Sequence, residues 1–405
     1  MTITTDIAII GGGLSGALMA ICAQAHGFKT CIVDVKSSDI QTTRDFDGRS
    51  YSMAHSSVRM LQALNLWCDL EKTAQPILDI KISDVGVVGI PSPFLLHFDH
   101  HDLEEGPMGH MVEDRRLRPL LQERLNLSDE IIYLDQTQVI EQDTGPASTK
   151  LYLKGNHTKV KANLVITADG RKSAFAKNAG IVYRGWNYAQ TSLVCALEHE
   201  KPHNGVAYQH FMPPGPLAIL PLTKNRASIV WTETTENAET TMSLDDEAYI
   251  NVLRPRLGDF LGDVALAGER FAFPLEMSIA QSLIADRLAL VGDAAHGMHP
   301  IAGQGLNASL RDIAALTQII HEAKQRGEDF GSTAVLRRYQ EWRRFDATAL
   351  PLALDGLNRL FSNHSLLLKD IRALGIGIVN RLPNIKRKLM REAAGLSGEL
   401  PHLMQ

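Results

Sequence analysis

A glycine-rich turn near the N-terminus constrains the fold of this chain more than any other feature. The apolar run Ile7 to Ile10 precedes it, and residues 14–26 after it carry the apolar spacing of a helix. In the pattern Gly11-x-Gly13-x-x-Gly16, the first glycine permits a tight turn and the second lets a pyrophosphate approach the backbone. The third lets the helix pack closely on the strand. The pattern therefore predicts a strand–turn–helix unit that binds the phosphates of a dinucleotide at the helix N-terminus.

An acidic residue at the end of the next strand completes this unit. Thr30 to Val33 is a second apolar run, and Asp34 follows it directly. A carboxylate in this position accepts hydrogen bonds from ribose hydroxyls and repels a 2′-phosphate. We also count Ser15, in the first turn of the helix, among the cofactor-binding residues. The unit predicts a dinucleotide, but it does not distinguish NAD from FAD.

A second glycine-rich stretch lies late in the chain, over residues 287–312. A predicted strand over Leu288–Val291 leads to Gly292 and Asp293, and a loop then leads to a helix that begins near Leu306. Asp293 can accept a hydrogen bond from a polyol hydroxyl, and the loop glycines let the backbone lie flat against a ring. The start of the helix is a second anion-binding terminus. Two such devices suit one long ligand with a pyrophosphate and a second polar, planar end.

The late stretch resembles the Gly-Asp motif of class A flavoprotein monooxygenases, relatives of para-hydroxybenzoate hydroxylase. Asp169-Gly170 is similar to the Asp-Gly motif of that family, and Arg49 matches its arginine near the flavin. The resemblance implies FAD as cofactor, NADH or NADPH as co-substrate, and a ribityl chain held by Asp293. The full set of cofactor-binding residues predicted in this way is Gly11, Gly13, Ser15, Gly16, Asp34, Arg49, Asp169, Gly170, Gly292, Asp293, Gly303, Gly305, Leu306 and Asn307.

A narrower resemblance follows from the loop after Asp293. The signature of the ubiquinone-biosynthesis hydroxylases is similar to the motif His299-Pro300-x-x-Gly303-Gln304-Gly305-x-Asn307. The chain departs from the signature at Ser309, where glycine is usual. It departs again at Asp114, where relatives often carry Asn or Arg, and we assign no role to Asp114. The match implies a polyprenylated phenol as substrate.

The resemblance also implies how the reaction proceeds. Reduced flavin and oxygen form a C4a-hydroperoxide, and an electron-rich phenol ring attacks its distal oxygen. The flavin supplies this chemistry while the protein supplies position and a dry cavity, so no catalytic triad or metal-ligand cluster is needed. The residues expected at the oxygen-activation site are Pro300, Gly303, Gln304 and Gly305. Those expected to line the substrate are His210, Phe211, Pro221 and Trp231.

The order of the predicted elements gives the fold class. We expect an α/β protein with a Rossmann-like FAD-binding domain, an inserted antiparallel β-sheet domain for the substrate, and a C-terminal helical region. The FAD-binding domain is predicted to comprise residues 1–75, 102–180 and 270–340. The substrate domain comprises residues 76–101 and 181–269, and the helical region comprises residues 341–405.

Composition and charge limit the partners and the compartment. The net charge of −5 gives no bias toward nucleic acid, and the four cysteines are scattered, as is usual for a cytoplasmic protein. No signal peptide or long apolar span is evident. The C-terminal stretch predicts basic amphipathic helices that contact a lipid surface or a protein partner, with peripheral contact at the inner membrane. Its basic residues are Lys369, Arg372, Arg381, Lys386, Arg387, Lys388 and Arg391.

Three functions stay open at this point. The first is a hydroxylase of a polyprenylated phenol in ubiquinone biosynthesis, working in a biosynthetic complex or as a homo-oligomer. The second is a hydroxylase of a soluble aromatic compound. The third is a non-catalytic FAD-binding scaffold in a biosynthetic complex. The sequence does not give the ring position, the tail length or the choice between NADH and NADPH.

Overall fold

The computed structural model describes residues 1–41, 45–85, 91–103, 105–155, 158–171, 173–362 and 382–405. Part of the predicted basic C-terminal region, residues 363–381, lies outside these ranges. The strands are β1 (Thr2–Ile10), β2 (Thr30–Val33), β3 (Ser50–Ala54), β4 (Gln75–Ile77), β5 (Asp79–Val85), β6 (Pro91–Asp99), β7 (Gly109–Glu113), β8 (Ile131–Leu134), β9 (Val139–Thr144), β10 (Thr149–Leu153), β11 (Lys159–Thr167), β12 (Tyr183–His199), β13 (Val206–Phe211), β14 (Leu217–Leu222), β15 (Arg226–Thr234), β16 (Val264–Leu266), β17 (Phe271–Ala280), β18 (Ile284–Ala285), β19 (Leu288–Leu290) and β20 (His296–Gly297). The helices are α1 (Leu14–Ala25), α2 (His55–Ala63), α3 (Trp67–Leu70), α4 (Asp114–Asn126), α5 (Ala174–Asn178), α6 (Thr235–Met242), α7 (Asp246–Leu257), α8 (Gln304–Gln325), α9 (Thr333–Phe361) and α10 (Pro383–Ala393).

The first sheet is the dinucleotide-binding sheet that the N-terminal turn predicts. Its strand order is β18-β19-β11-β1-β2-β8, and the pairs among β19, β11, β1, β2 and β8 are parallel. Ile7 and Ile9 of β1 are fully buried in the apolar cluster that this sheet forms with the elements packed on it. Helix α1 follows β1 directly and packs against α8 and α4.

The parallel strands end at one common edge. In the register of the sheet, Ile10 of β1 lies beside both Thr167 of β11 and Val33 of β2, and Thr167 lies beside Leu290 of β19. The loops that follow these strands contain the predicted cofactor residues. In an open parallel sheet, ligands bind in the crevice beyond this edge.

A second, mostly antiparallel sheet lies between the parts of the first one in sequence. Its order is β20-β17-β12-β15-β14-β13-β5-β6, with β16 paired to β12. Helices α6 and α7 pack against it to form a separate apolar cluster around the buried ring of Trp231. A smaller sheet has the order β3-β7-β4, and the two remaining strands belong to the first sheet, where β10 pairs with β11 and β9 pairs with β10.

The predicted fold class is confirmed, since an FAD-binding α/β unit, an antiparallel sheet and C-terminal helices are all present. Strands β17 and β20 pair with the second sheet, although residues 270–340 were predicted to belong to the FAD-binding domain. The division into domains stays a proposal. Helix α6 was not predicted, because its sequence Thr235–Met242 is polar apart from Ala238 and Met242.

Candidate active site

The N-terminal glycine turn has the geometry that its spacing predicts. Gly11 has a φ of +99°, which a side chain would strain. A Cβ on Gly16 would lie 1.8 Å from the carbonyl oxygen of Gly11, so only glycine lets α1 approach the turn. A Cβ on Gly13 would meet no atom within 4 Å, so this glycine leaves open space in front of the turn. Helix α1 begins there with no side-chain cap, and its first N–H groups are available to an anion.

Asp34 closes the turn from the end of β2. Its carboxylate accepts a hydrogen bond from the Gly12 N–H at 2.6 Å and another from the Lys36 N–H at 2.8 Å. The side chain of Tyr133 on β8 lies beside Gly12, where a Cβ would be 2.1 Å from the tyrosine oxygen. Since a carboxylate has about four acceptor positions, Asp34 can still accept from a ribose hydroxyl.

The late glycine motif meets the first turn at Gly292. Gly292 has a φ of +64°, and a Cβ there would lie 3.0 Å from Ser15 Oγ and 2.9 Å from Ser309 Oγ. The starts of α1 and α8 therefore converge on this glycine. Asp293 points outward with an exposed carboxylate, 3.6 Å from the side chain of Arg171. Asp293 is thus free to accept from a bound polyol.

The structure shows why a serine is tolerated at position 309, where the family signature usually has glycine. Its hydroxyl donates to the Gly305 carbonyl one turn earlier at 2.9 Å, and the residue is buried. A serine can satisfy its hydroxyl within a helix in this way. The substitution therefore leaves the start of α8 intact.

Asn307 locks the loop before α8 to the rest of the site. Its side-chain oxygen accepts from the Ala54 N–H and the Ser57 hydroxyl, both at 2.8 Å. Its side-chain nitrogen donates to the carbonyls of Ser52 at 2.9 Å and Gly303 at 3.0 Å. The residue was predicted to bind the cofactor. In the structure its side chain holds the loop in place, and its contact with the cofactor stays a prediction.

The same loop carries most of the predicted oxygen-activation residues. Gly303 is left-handed, with a φ of +62°, and caps α8 without a side-chain hydrogen bond. A Cβ on Gly305 would meet no atom within 4 Å, so the backbone here is open to a planar ligand. The Gln304 side chain instead turns toward the carbonyl of Ala393 on α10 at 3.4 Å. Pro300 begins the loop at the wall of a cavity.

Arg49 belongs to a charged cluster that the sequence did not reveal. Its guanidinium lies 2.7 Å from Asp47 and 3.1 Å from Asp114. Asp114 also accepts from Arg118 at 2.6 Å and from the Tyr51 hydroxyl. Burial raises the pKa of Tyr51. Asp114, which received no role from its sequence position, therefore holds the predicted flavin arginine.

A fully buried ionic network supports the loop from behind. Asp312 of α8 lies 2.6 Å from Nε2 of His296 and 2.9 Å from Nε of Arg343, and it also accepts from the Gly292 N–H at 3.1 Å. Burial alone would lower the pKa of His296, but the Asp312 carboxylate raises it overall. Burial alone would raise the pKa of Asp312, but His296 and Arg343 lower it overall. The network therefore favours a charged pair that ties the strand end, α8 and α9 together.

A small cavity lies between this loop and the second sheet. One wall is a row across three strands, in which Gln209 pairs with Ala218 and Ala218 pairs with Val230. The facing wall consists of His299, Pro300 and Ile301, and Pro216 and Thr232 complete the lining.

The predicted substrate residues do not line this cavity. His210 and Trp231 belong to the next row across the strands, in which both pair with Leu217. Because successive residues of a strand point to opposite faces of the sheet, their side chains lie on the face away from the cavity. Trp231 packs under α7 there. Pro221 pairs with Ala227, which belongs to the same helix-covered cluster. Phe211 alone lies on the inner side, stacked on Phe361 at 4.1 Å.

The second predicted dinucleotide motif lies at the same sheet edge. The Ala168 N–H donates to the Ile10 carbonyl at 2.8 Å, so the Asp169-Gly170 turn sits beside the N-terminal turn. Gly170 has a φ of +91°. Two uncapped helix starts, an open glycine backbone and the outward carboxylate of Asp293 fit the phosphates, flat ring and polyol of FAD.

Comparison with known proteins gives the class. The family model described as "FAD binding domain" matches residues 4–350. The chain therefore belongs to the FAD-binding domain family and is an FAD-dependent monooxygenase. Ubiquinone hydroxylase UbiL of Rhodospirillum rubrum is 39% identical over 405 residues, which cover 99% of this chain and 92% of that protein.

Two further comparisons agree. The 3-demethoxyubiquinol 3-hydroxylase of Escherichia coli is 30% identical over 396 residues, covering 97% of this chain and 99% of that protein. The solved structure of p-nitrophenol 4-monooxygenase PnpA from Pseudomonas putida has a TM-score of 0.79 at 16% identity, covering 98% of this chain and 99% of that one. The latter likeness concerns the fold. The predicted flavoprotein class is confirmed.

Proposed function

We propose that this monooxygenase hydroxylates the ring of a polyprenylated phenol in ubiquinone biosynthesis. The observation that carries the proposal is the cavity between the Pro300 loop and strands β13–β15, because this loop also contains predicted FAD-binding residues. Relatives along the whole chain bear the names of ubiquinone hydroxylases, which supports this substrate class.

The reaction that we propose consumes NADH or NADPH and O2. Bound FAD supplies the chemistry that activates oxygen and delivers one atom of it. The ring C–H becomes C–OH, the second oxygen atom leaves as water, and the nicotinamide supplies two electrons. The chain orients the ring, and its N–H groups at the start of α8 stabilise negative charge beside the cofactor.

The site residues divide into two groups in this proposal. Asp293, Ser15 and the glycines of the two turns contact the cofactor. Asn307 and Asp114 hold the contacting groups in place. The cavity row Gln209, Ala218 and Val230 replaces His210, Pro221 and Trp231 as the substrate wall.

The visible spectrum of the purified protein is the direct test. We expect flavin absorbance that is bleached by NADH or NADPH, faster when a short-tailed prenylphenol is present, together with a hydroxylated product. Flavin that is reduced without any product from the prenylphenol, but with product from a soluble phenol, would favour the second function. Bound flavin that is never reduced would favour a scaffold. Protein that cannot be reconstituted with FAD would refute the class.

We further propose that α10 brings the enzyme to a lipid surface. Among the described residues, no helix is both long and apolar enough to cross a bilayer. Leu382, Ile385 and Leu389 nevertheless form an exposed apolar stripe at helical spacing. Two basic residues are paired within the protein, Lys386 with Asp102 at 2.8 Å and Arg391 with Glu105 at 3.1 Å. Arg387 and Lys388 remain exposed. A membrane-borne substrate makes such contact useful.

Liposome flotation tests the surface. Replacement of Leu382, Ile385 and Leu389 by serine should abolish co-flotation, because it removes the apolar face. The matched control replaces Ile132 and Ile140, exposed apolar residues of β8 and β9, and should float as the wild type does. Equal flotation of all variants, or none of the wild type, would refute the contact. Cytoplasmic location at the inner membrane, a biosynthetic complex and a homo-oligomer stay predictions.

A further inference from the structure

The cavity holds buried polar atoms that the fold leaves without partners. Among the residues that the structure describes, neither ring nitrogen of His299 has a hydrogen-bond partner, and the Thr232 hydroxyl has none either. Both residues line the cavity and both are almost completely buried. Leaving such groups unpaired costs about 1 to 3 kcal/mol each, so folded proteins keep few of them without a reason. The two groups come from opposite walls, the loop and the sheet.

His296, a second buried histidine close to His299 in the chain, has a structural role that His299 does not share. Nε2 of His296 lies 2.6 Å from Asp312, so that ring is tied into the buried ionic network. The ring of His299 instead packs edge-on against Tyr188 of β12, with 5.2 Å between the centroids. This contact fixes the plane of the imidazole but uses neither nitrogen.

The His299 imidazole is neutral at physiological pH. Burial lowers its pKa to about 4, and the charge of Asp355 on α9 raises it by less. The groups that face it are therefore the Tyr188 hydroxyl of β12 and the Asp355 carboxylate of α9. A neutral imidazole has one nitrogen that accepts and one that donates. It is thus ready to accept from a hydroxyl group that enters the cavity.

We propose that His299 accepts the hydrogen bond of the substrate's ring hydroxyl, and that Thr232 donates to the same oxygen from the opposite wall. The inference rests on the proposed function and names the polar anchor of its substrate. A phenol O–H becomes more acidic as its ring gives electron density to the incoming oxygen atom. The hydrogen bond to His299 therefore strengthens in the transition state.

The protons balance without any further reagent. As the new C–O bond forms, the phenol O–H bond breaks and its proton moves to the His299 nitrogen. The ring carbon that received oxygen then loses its own proton, which the second oxygen atom takes up as it leaves as water. The aromatic ring re-forms, and His299 returns its proton to the phenol oxygen. His299 is neutral before and after each turnover.

The test compares a short-tailed prenylphenol with its methyl ether, which cannot donate. Binding of each to the oxidised FAD enzyme is followed by the change in flavin absorbance, and turnover is measured separately. We expect the wild type to bind the phenol about tenfold more tightly than the ether. His299→Ala should lose this preference and about 100-fold in kcat, and His299→Gln should regain part of both because it keeps an acceptor.

The matched control is His210→Gln. His210 is another buried histidine whose pKa burial lowers to about 4, but it lies on the opposite face of the sheet. Its replacement should leave the preference for the phenol unchanged. If His299→Ala fails to retain FAD, Thr232→Val replaces it, and a loss of preference of about fivefold is expected.

The outcomes separate the two proposals. A preference and a kcat that are unchanged in His299→Ala, or a preference unchanged in Thr232→Val, would overturn the inference. A wild type that prefers the phenol through His299 but never hydroxylates it would refute the proposed function and leave the anchor standing. Equal losses in His210→Gln and His299→Ala would overturn the anchor, because they would show a general effect of disturbing the sheet.

Discussion

Asn307 offers the sharpest test of how the cofactor loop is built. Asn307→Ala removes four hydrogen bonds at once, two accepted from Ala54 and Ser57 and two donated to Ser52 and Gly303. Each bond contributes about 1 kcal/mol, and water entering the space recovers a part, so we expect a local loss of about 3 kcal/mol. That value corresponds to about 100-fold faster opening of β3 and the start of α2.

Hydrogen–deuterium exchange of the peptide that covers residues 50–57 measures this opening directly. The FAD dissociation constant, measured in parallel, should rise as well, because the loop must be ordered before it can bind. Asn126→Ala is the matched control, since Asn126 is exposed at the end of α4 and its side-chain oxygen accepts from the Gln122 side chain at 3.2 Å. Unchanged exchange in this peptide would refute the loop-locking role. Weaker FAD binding with unchanged exchange would show that Asn307 contacts the cofactor directly.

Three further predictions follow from the same structure. Gly16→Ala should give an unstable protein that does not bind FAD, because the new Cβ would clash with the backbone. Gly13→Ala should fold normally and lose only affinity for FAD. Thermal melts with and without FAD distinguish the two outcomes. Arg343→Met leaves Asp312 buried with one partner fewer, so the free energy of unfolding should fall by about 3 kcal/mol. Urea unfolding of the FAD-free protein measures this change, and an unchanged midpoint would contradict it. His210 has a pKa of about 4 in the fold, below its unfolded value, so the unfolded state binds more protons and stability falls as pH drops from about 6.5 to 4. Between pH 7 and pH 4.5, the free energy of unfolding of His210→Gln should fall by about 2 kcal/mol less than that of the wild type. An equal fall in both proteins would contradict this prediction.

Local rules made much of the cofactor site predictable. The turn from Gly11 to Gly16 needs only the conformations of glycine and the packing of one helix on one strand, and both are set by neighbouring residues. Gly292 and Asp293 follow a short apolar strand in the same way. The exposure of Asp293 then follows from its position directly after that strand.

The residues that line the cavity were not predictable, because both faces of these strands are buried. In β14 and β15, apolar residues occupy adjacent positions, so the sequence carries no alternation that would mark the inner face. His210, Pro221 and Trp231 therefore lie one residue of register away from the positions whose side chains line the cavity. Helices α6 and α7 cover one face of the sheet, and this packing leaves the other face to line the cavity.

The sequence by itself determined the class of ligand and the order of the elements, since glycine conformation, strand periodicity and a spaced carboxylate act within a few residues. The tertiary structure decided what those elements bring together. Asn307 bonds to Ala54 and Ser57 about 250 positions away, and Asp114 at the start of α4 holds Arg49 just before β3. His299 and Thr232 line the same cavity only because the loop and the sheet come together there. Such contacts depend on where separate segments dock, and docking minimises the burial of unpaired polar groups over the whole chain rather than within any one segment.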